Sequence, residues 1–294
     1  MSIKHPIISV TGSSGAGTST VRHTFEQIFR REGVKAAMVG GDAFHRFDRD
    51  EMDAEINKAE AQGNHHFSHF GPKGNLFDEL ETLFRSYSET GTGRFRHYVH
   101  SEEEAKTLGL GDIAPGKFTA WEDLPEDSDL MFYEGLHGAL VSDGIDVAKY
   151  ADLKIGVVPV INLEWIQKIH RDKDMRGYST EDVTATILRR MPDYVNYICP
   201  QFSETDINFQ RVPTVDTSNP FIARWIPTLD ESMVVIRFKN PRGIDFSYLS
   251  RMIHDSFMSR ANSIVVPGNK LDLAMQLILT PLIHRLIERK RRAS

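Results

Sequence analysis

Short runs of apolar, often β-branched residues alternate along the chain with longer stretches in which apolar residues recur every three or four positions. This alternation is typical of strands and crossover helices in a largely parallel sheet. The apolar runs predict strands at residues 6–11, 35–39, 130–133, 153–160, 233–238 and 263–266. The helical periodicity predicts helices at residues 18–31, 163–174, 180–197 and 271–290. We therefore predict an α/β fold in which helices flank a mostly parallel central sheet.

The chain changes character between residues 63 and 125, where it becomes rich in Gly, His, aromatic and acidic residues. Glycines punctuate this region at Gly91, Gly93, Gly109, Gly111 and Gly116. We interpret it as an insertion that carries hairpins and substrate contacts. Because neither a repeat nor a linker-like stretch divides the chain, we expect residues 1–294 to form one domain that includes the insertion.

A glycine-rich run joins the first predicted strand to the first predicted helix. Its residues are Gly12, Ser13, Ser14, Gly15, Ala16, Gly17, Thr18, Ser19 and Thr20. Glycines let backbone N–H groups point at an anion, and the start of the helix adds the positive end of its dipole. This strand, loop and helix context is that of a P-loop, so we predict that the run binds the phosphates of ATP. An ordinary Gly/Ser turn is the alternative.

One position departs from the usual P-loop motif, because Thr18 stands where the motif has a lysine. The missing positive charge must then come from another part of the chain. The hydroxyl of Ser19 is the natural ligand for Mg²⁺ at this spacing, and Thr20 is a weaker alternative.

Two carboxylates follow predicted strands. Asp42 comes shortly after the strand at 35–39, and Glu134 comes directly after the strand at 130–133. Ligands collect at the carboxyl edge of a parallel sheet. We therefore predict that Asp42 accepts the proton of an attacking hydroxyl and that Glu134 holds Mg²⁺ or its bound water. The alternatives are a helix N-cap for Asp42 and a chance match for Glu134.

The helix predicted at 163–174 carries Lys168, Arg171 and Asp172 at a spacing that puts them on one face. A solvated charged face is the alternative interpretation. Because the P-loop lacks its lysine, we predict instead that Lys168 supplies positive charge near the γ-phosphate. We expect the helix to stop at Gly177, where a mobile lid could begin.

Composition narrows the classes of function. The 294 residues, 40% of them hydrophobic, suffice for a full core. The net charge of −6 gives no reason to expect a nucleic acid or an anionic membrane as partner. Since no stretch approaches the roughly 18 apolar residues of a membrane span and no signal-peptide pattern is present, we expect a cytoplasmic protein. Cys199 is the single cysteine, which excludes an intrachain disulfide and a zinc site of several thiolates.

The longer motifs resemble the bacterial type of phosphoribulokinase, within the wider uridine kinase and phosphoribulokinase family. These motifs are GSSGAGTST from Gly12, GDAFHR from Gly41, YVH from Tyr98, FYEGLHG from Phe132, VVPVINLEWIQKIHRD from Val157, NFQRVPTVDTSNPF from Asn208 and NPRGIDF from Asn240. The resemblance implies a P-loop kinase fold. It also implies transfer of the γ-phosphoryl group of ATP, with Mg²⁺, to the C1 hydroxyl of D-ribulose 5-phosphate.

The resemblance also implies a role for each matching residue. The catalytic and metal-binding residues would be Asp42 as base, Glu134 at Mg²⁺, Asp172 as a second essential acid, and Lys168 and Arg171 on the transferred phosphoryl group. The residues that hold the sugar phosphate would be His45, Arg49, Tyr98, His100 and Arg176.

Regulation is a further implication of the resemblance. Enzymes of this type are commonly homo-oligomers that NADH activates and AMP inhibits. The matching positions connected with effector response or subunit contacts are Arg189, Arg190, Arg237 and Arg260.

One departure from the family bears on the substrate. Asp53 stands in an acidic stretch where bacterial enzymes of this type carry a lysine, so one contribution to sugar-phosphate binding is absent. Two alternatives to a ribulose 5-phosphate kinase stay open. One is a kinase of the same family for another sugar phosphate or a nucleoside, and the other is a nucleotide sensor without catalysis.

Overall fold

A computed structural model describes residues 4–13, 15–111, 113–177 and 179–293, and for Ser19 and residues 174–176 it describes the backbone alone. The strands are β1 (Ile7–Thr11), β2 (Ala36–Gly40), β3 (Arg94–Phe95), β4 (Glu122–Asp123), β5 (Leu130–Gly135), β6 (Val141–Ser142), β7 (Ile145–Asp146), β8 (Leu153–Val158), β9 (Ile207–Pro213), β10 (Ser232–Phe238), β11 (Phe257–Arg260) and β12 (Ser263–Pro267). The α-helices are α1 (Thr18–Glu32), α2 (Arg49–Ala61), α3 (Phe77–Thr90), α4 (Glu102–Leu108), α5 (Ile161–Arg176), α6 (Thr180–Asp193), α7 (Gln201–Glu204), α8 (Phe246–Met252) and α9 (Leu271–Ala293).

Eight strands form the central sheet in the order β11-β12-β10-β9-β8-β1-β5-β2. The strands β2, β5, β1, β8 and β9 are parallel to one another. The strands β10, β12 and β11 extend the sheet in antiparallel fashion. The prediction of a mostly parallel sheet is confirmed, and the strands that precede the P-loop, Asp42 and Glu134 are adjacent in it.

The sheet is buried on both faces, as the continuous apolar runs of its parallel strands require. All five residues of β1 are buried. Ile8 faces a cluster that includes Phe25 of α1 and Ile278 of α9. Ile7 faces the opposite cluster, which includes Phe84 of α3. The central strand therefore anchors two layers of helices.

The region between residues 63 and 125 contains both antiparallel pairing and a helix. Among its described residues β3 pairs with β4 in antiparallel fashion, and an antiparallel bridge between Tyr98 and Phe118 continues this pairing. The 14-residue helix α3 was not predicted, and it buries Leu80, Leu83 and Phe84 against the sheet.

Two further details concern helix ends and length. The α5 helix ends at Arg176, and its C-cap is Gly177 with a left-handed φ of 70°, so the helix stops where it was predicted to stop. The helix predicted at 180–197 continues from α6 into a π-helical turn, Tyr194–Ile198. Among the described residues, none of the helices combines the length and apolar character needed to cross a membrane.

Candidate active site

The glycine loop between β1 and α1 is tightly packed. A Cβ atom on Gly12 would lie 2.8 Å from the Thr18 methyl carbon and 2.9 Å from the Val157 carbonyl oxygen. Gly17, the N-cap of α1, has a φ of 97°, which favours glycine. The Gly12 N–H donates to the Gly135 carbonyl at 3.2 Å. The loop therefore needs its glycines to bring the N-terminus of α1 to the edge of the sheet.

Thr18 occupies the position of the usual P-loop lysine and is turned toward a carboxylate. Its hydroxyl forms a hydrogen bond with Glu134 at the end of β5. Burial raises the pKa of Glu134, and the negative charge of Asp42 raises it further, while the Thr18 hydrogen bond lowers it. A carboxylate and a hydroxyl beside the phosphate loop are oxygen donors of the kind that Mg²⁺ prefers.

Among the described residues, groups of three or more His, Cys, Asp or Glu side chains with metal-binding geometry are not found.

Asp42 lies on a one-turn 3₁₀ helix, Gly41–Phe44, that follows β2. The N-cap of that turn is Gly40, so the alternative role of Asp42 as an N-cap does not hold. Its two carboxylate oxygens approach different imidazoles, His45 Nε2 at 3.4 Å and His100 Nε2 at 3.1 Å. Asp42 is therefore held between two side chains and faces open space, as a base that must reach a substrate hydroxyl should.

Two adjoining cavities meet at Asp42. The first has a volume of 560 Å³ and is lined by Gly12 and Thr18 of the P-loop, by Glu134 of β5 and by Arg171 of α5. The second has a volume of 450 Å³. Four residues line both cavities: Asp42, Tyr98, His100 and Leu136. A group bound in one cavity can therefore reach a group bound in the other beside the Asp42 carboxylate.

Side chains of both charges line the second cavity. Its basic side chains are Arg49, Lys168 and Arg190, its imidazoles are His45, His69 and His100, and its carboxylates are Asp42, Asp48 and Asp53. The three basic side chains can pair with an anionic ligand such as a sugar phosphate.

The face of α5 that carries Lys168 and Asp172 is buried. The two side chains are 10% and 6% exposed, and Lys168 Nζ lies 2.5 Å from Asp172 Oδ2. Arg171 Nε lies 3.6 Å from the other oxygen of Asp172. Burial and the charge of Arg190 lower the pKa of Lys168 to about 8, against the opposing effect of Asp172. A solvated charged face is therefore ruled out, and Asp172 holds two cations in position.

A sequence model of the Phosphoribulokinase / Uridine kinase family matches residues 7–218. The chain belongs to this family. The phosphoribulokinase of Nitrobacter vulgaris is 72% identical over 290 residues, and the alignment covers 99% of each chain. The chromosomal phosphoribulokinase of Cupriavidus necator is 68% identical over 294 residues, with both chains fully covered.

A solved member of the family has the same fold. The phosphoribulokinase from Rhodobacter spheroides aligns with a TM-score of 0.90 at 66% identity, and the match covers 99% of this chain and 100% of that one. The predicted P-loop kinase fold and the resemblance to the phosphoribulokinase and uridine kinase family are thereby confirmed.

The four arginines for which the resemblance predicts a role in effector response or subunit contacts lie in three places. Arg189 approaches Glu60 of α2, with 3.3 Å between the charged atoms. Arg190 lines the second cavity and lies over the ring of Phe70 at 5.2 Å. Arg237 and Arg260 line a separate cavity of 670 Å³. Arg190 therefore faces the same space as Lys168.

Ser14 lies outside the described residues, and so do the side chains of Ser19 and Arg176. Their assignments stay predictions.

Sequence reasoning missed two residues that shape the site. The ring of His69 packs against that of His45, with centroids 5.2 Å apart, in the second cavity. Arg96 donates hydrogen bonds to the carbonyls of Ala43 and His45, on either side of Phe44 and close to Asp42. Both residues lie between residues 63 and 125, where the pattern of apolar residues is irregular. Their contacts are with residues remote in the sequence, so the local spacing of residues does not predict them.

Proposed function

We propose that this protein is a phosphoribulokinase, which transfers the γ-phosphoryl group of ATP to the C1 hydroxyl of D-ribulose 5-phosphate and forms ribulose 1,5-bisphosphate and ADP. The observation that carries the proposal is the position of Asp42, where the P-loop cavity meets the second cavity, which Arg49, Lys168 and Arg190 line. Similarity over the full chain to phosphoribulokinases, at 72% and 68% identity, agrees with it.

The nucleotide is proposed to bind through the glycine loop. The loop from Gly12 to Thr20 would hold the phosphates through backbone N–H groups other than that of Gly12, together with the N-terminus of α1. Glu134 and Ser19 would hold Mg²⁺, which neutralises phosphate charge when it is bound. Thr18 would fix the Glu134 carboxylate through their hydrogen bond.

The acceptor is proposed to bind in the second cavity. His45, Arg49, Tyr98, His100 and Arg176 would hold or enclose the sugar phosphate. Arg190 joins this set because it lines the same cavity.

The transfer step needs position and charge more than covalent chemistry. Asp42 would take the proton of the C1 hydroxyl as its oxygen bonds to phosphorus. Lys168 and Arg171 would stabilise negative charge on the transferred group, and Asp172 would hold both cations.

An assay of ADP release over several acceptors tests this function. Ribulose 5-phosphate should support turnover, and ³¹P NMR should find the new phosphoryl group on C1. Ribose 5-phosphate and uridine serve as matched acceptors of the alternative kinases. Turnover with uridine and none with ribulose 5-phosphate would contradict the proposal.

Regulation by NADH as activator and AMP as inhibitor is proposed for the separate cavity. Two arginines, Arg237 on β10 and Arg260 on β11, line it together with polar side chains such as Asn208 and Gln210. Such a lining suits an anionic nucleotide. Replacing Arg237 and Arg260 by Ala should abolish activation by NADH and leave the basal rate unchanged, with the exposed Arg251→Ala as control. Full activation in the double variant would overturn the assignment.

We also propose a homo-oligomer in the cytoplasm. The edge strand β11 supports an assembly, because Phe257 and Met258 are 53% and 40% exposed there. Light scattering coupled to size exclusion measures the mass of the particle. A mass of 33.4 kDa, that of one chain, would contradict the oligomer.

A further inference from the structure

A buried carboxylate lies against the P-loop and has no role in the proposed function. Glu164, in the first turn of α5, is 8% exposed. The hydroxyl of Ser13, in the P-loop, donates a hydrogen bond to Glu164 Oε1. The hydroxyl of Tyr194 donates to Glu164 Oε2 at 3.0 Å. One side chain therefore joins the phosphate loop, α5 and the turn after α6.

The contact with the loop is steric as well as polar. A Cβ atom on Gly15 would lie 2.9 Å from Glu164 Cγ and 3.0 Å from the Glu164 carbonyl oxygen. Only a glycine lets the loop come this close without displacing the helix. Glu164 thus contacts the loop at two places, Ser13 and Gly15.

Glu164 lies on the face of α5 that serves the site. Glu164, Lys168 and Asp172 follow one another at intervals of four residues, so they stack along one side of the helix. In an ordinary P-loop the lysine belongs to the loop, and its position relative to the phosphates is set by the loop itself. If the cation is Lys168 of α5, as the proposed function has it, a rigid link between α5 and the loop is needed.

Tyr194 extends the link toward the second cavity. It is the first residue of the π-helical turn and packs with Phe70, Leu136 and Ile198. Leu136 lines both cavities, and Arg190, one turn before Tyr194, lines the second. Short π-helical segments are frequent at functional sites.

Burial of this carboxylate is costly in free energy unless hydrogen bonds compensate it. Burial raises the pKa of Glu164, whereas the hydroxyls of Ser13 and Tyr194 and the charge of Lys168 lower it. Burial and the nearby Glu164 raise the pKa of Tyr194, so its hydroxyl keeps the proton that it donates.

We propose that Glu164 is a positioning residue: through Ser13, Gly15 and Tyr194 it holds the P-loop at a fixed distance from Lys168, so that the lysine of α5 replaces the missing P-loop lysine. The proposal rests on the proposed kinase function. Glu164 itself does not touch the reacting atoms; it acts through the loop and the helix.

The test compares Glu164→Ala with Glu164→Gln. The amide of Gln has the length of Glu and can accept one hydroxyl and donate to the other, so this variant should keep kcat and the KM for ATP within about threefold. Ala removes both hydrogen bonds, and a loop displaced by about 1 Å should lower kcat about 100-fold. The KM for ATP should rise, while the KM for ribulose 5-phosphate should stay unchanged.

A double-mutant cycle of Ser13→Ala and Glu164→Ala shows whether the two residues act through their contact. The combined loss in kcat/KM for ATP should be clearly smaller than the product of the single losses. A combined loss equal to the product of the single losses would overturn the proposal. A Glu164→Ala enzyme with wild-type kcat and KM would also overturn it.

Tyr194→Phe provides a second route if Glu164→Ala fails to fold. Its matched control is Tyr87→Phe. Tyr87, in α3, is also buried, and its hydroxyl forms a hydrogen bond with that of Ser128 at 2.8 Å. Both changes should lower the melting temperature, but only Tyr194→Phe should lower kcat. Equal kinetics of the two variants would contradict the role of Tyr194.

Calorimetric titration of ATP without any sugar phosphate separates this inference from the function. A wild-type protein that binds ATP but does not turn over ribulose 5-phosphate would refute the proposed acceptor alone. Unchanged ATP affinity and unchanged turnover in Glu164→Ala would refute the positioning role alone.

Discussion

Lys168 shows how a single residue can be both buried and charged at the site. Its side chain is 10% exposed, yet Asp172 lies 2.5 Å away and stabilises the ammonium form. Burial and the nearby Arg190 outweigh this effect and lower the pKa of Lys168 to about 8. The charge that we propose as the replacement for the P-loop lysine is therefore present at neutral pH and lost in mildly alkaline solution.

The pH dependence of kcat/KM for ATP tests this residue. The ammonium form exists below its pKa, so kcat/KM should be full at pH 7 and fall as the pH rises through about 8. The matched variant Lys168→Arg should be slower but lack this alkaline fall, because a guanidinium keeps its charge. The same alkaline fall in both proteins would assign the titration to another group.

Single residues also mark the limit of sequence reasoning. Asp42 and Glu134 could be predicted because Glu134 directly follows an apolar run and Asp42 comes shortly after another, and strand ends converge at one edge of a parallel sheet. The position of Arg190 in the second cavity could not be predicted, because the packing of α6 determines which of its side chains face that cavity. Glu164 gave no signal either, because its partners Ser13 and Tyr194 are remote in sequence.

At the scale of elements, the turn that carries Asp42 depends on a clamp from the irregular region. Arg96 donates to the Ala43 carbonyl at 2.9 Å and to the His45 carbonyl at 2.7 Å. Its guanidinium lies 3.6 Å from the ring centroid of Phe118, which fixes its plane. The clamp therefore holds the turn between β2 and α2 from outside the sheet.

Replacing Arg96 by Lys should disturb this turn, because an ammonium lacks the planar fork that reaches both carbonyls. We expect kcat to fall about tenfold to 100-fold, in line with a small displacement of the base, and the KM for ATP to stay unchanged. Arg94→Lys is the control, since Arg94 is exposed and lies 3.8 Å from Asp123. Equal steady-state kinetics of the two variants would show that Arg96 does not position Asp42.

Elements with a clear period could be predicted, and those without one could not. The loop before α1 and the helix α5 combine an apolar pattern with recognisable ends. The strand β9 was missed because Asn208, Gln210 and Arg211 interrupt its apolar run, and its neighbours β8 and β10 make it a strand. Helix α3 was missed because glycines and histidines around it obscure its amphipathic face.

At the scale of the whole molecule, one sheet connects the proposed nucleotide, acceptor and effector sites. The central strand β1 packs helices on both faces. The three antiparallel strands continue the same sheet to the cavity of Arg237 and Arg260. A structural change at that cavity therefore has a continuous hydrogen-bonded route to β1.

That the chain forms a single domain stays a prediction, which urea unfolding tests. Far-UV circular dichroism and the fluorescence of the three tryptophans should give coincident transitions with one midpoint. Each probe samples different parts of the chain, since Trp121 belongs to the insertion and Trp165 to α5. Two separated midpoints would show that the insertion unfolds independently.

The rate of the Asp42→Asn enzyme tests the central claim most directly. The amide fills the same space but cannot take a proton, so kcat with ribulose 5-phosphate should fall about 100-fold to 10,000-fold. The calorimetric affinity for ATP should remain that of the wild type, and the exposed Asp50→Asn should keep the wild-type kcat. An Asp42→Asn enzyme with wild-type kcat would contradict the account.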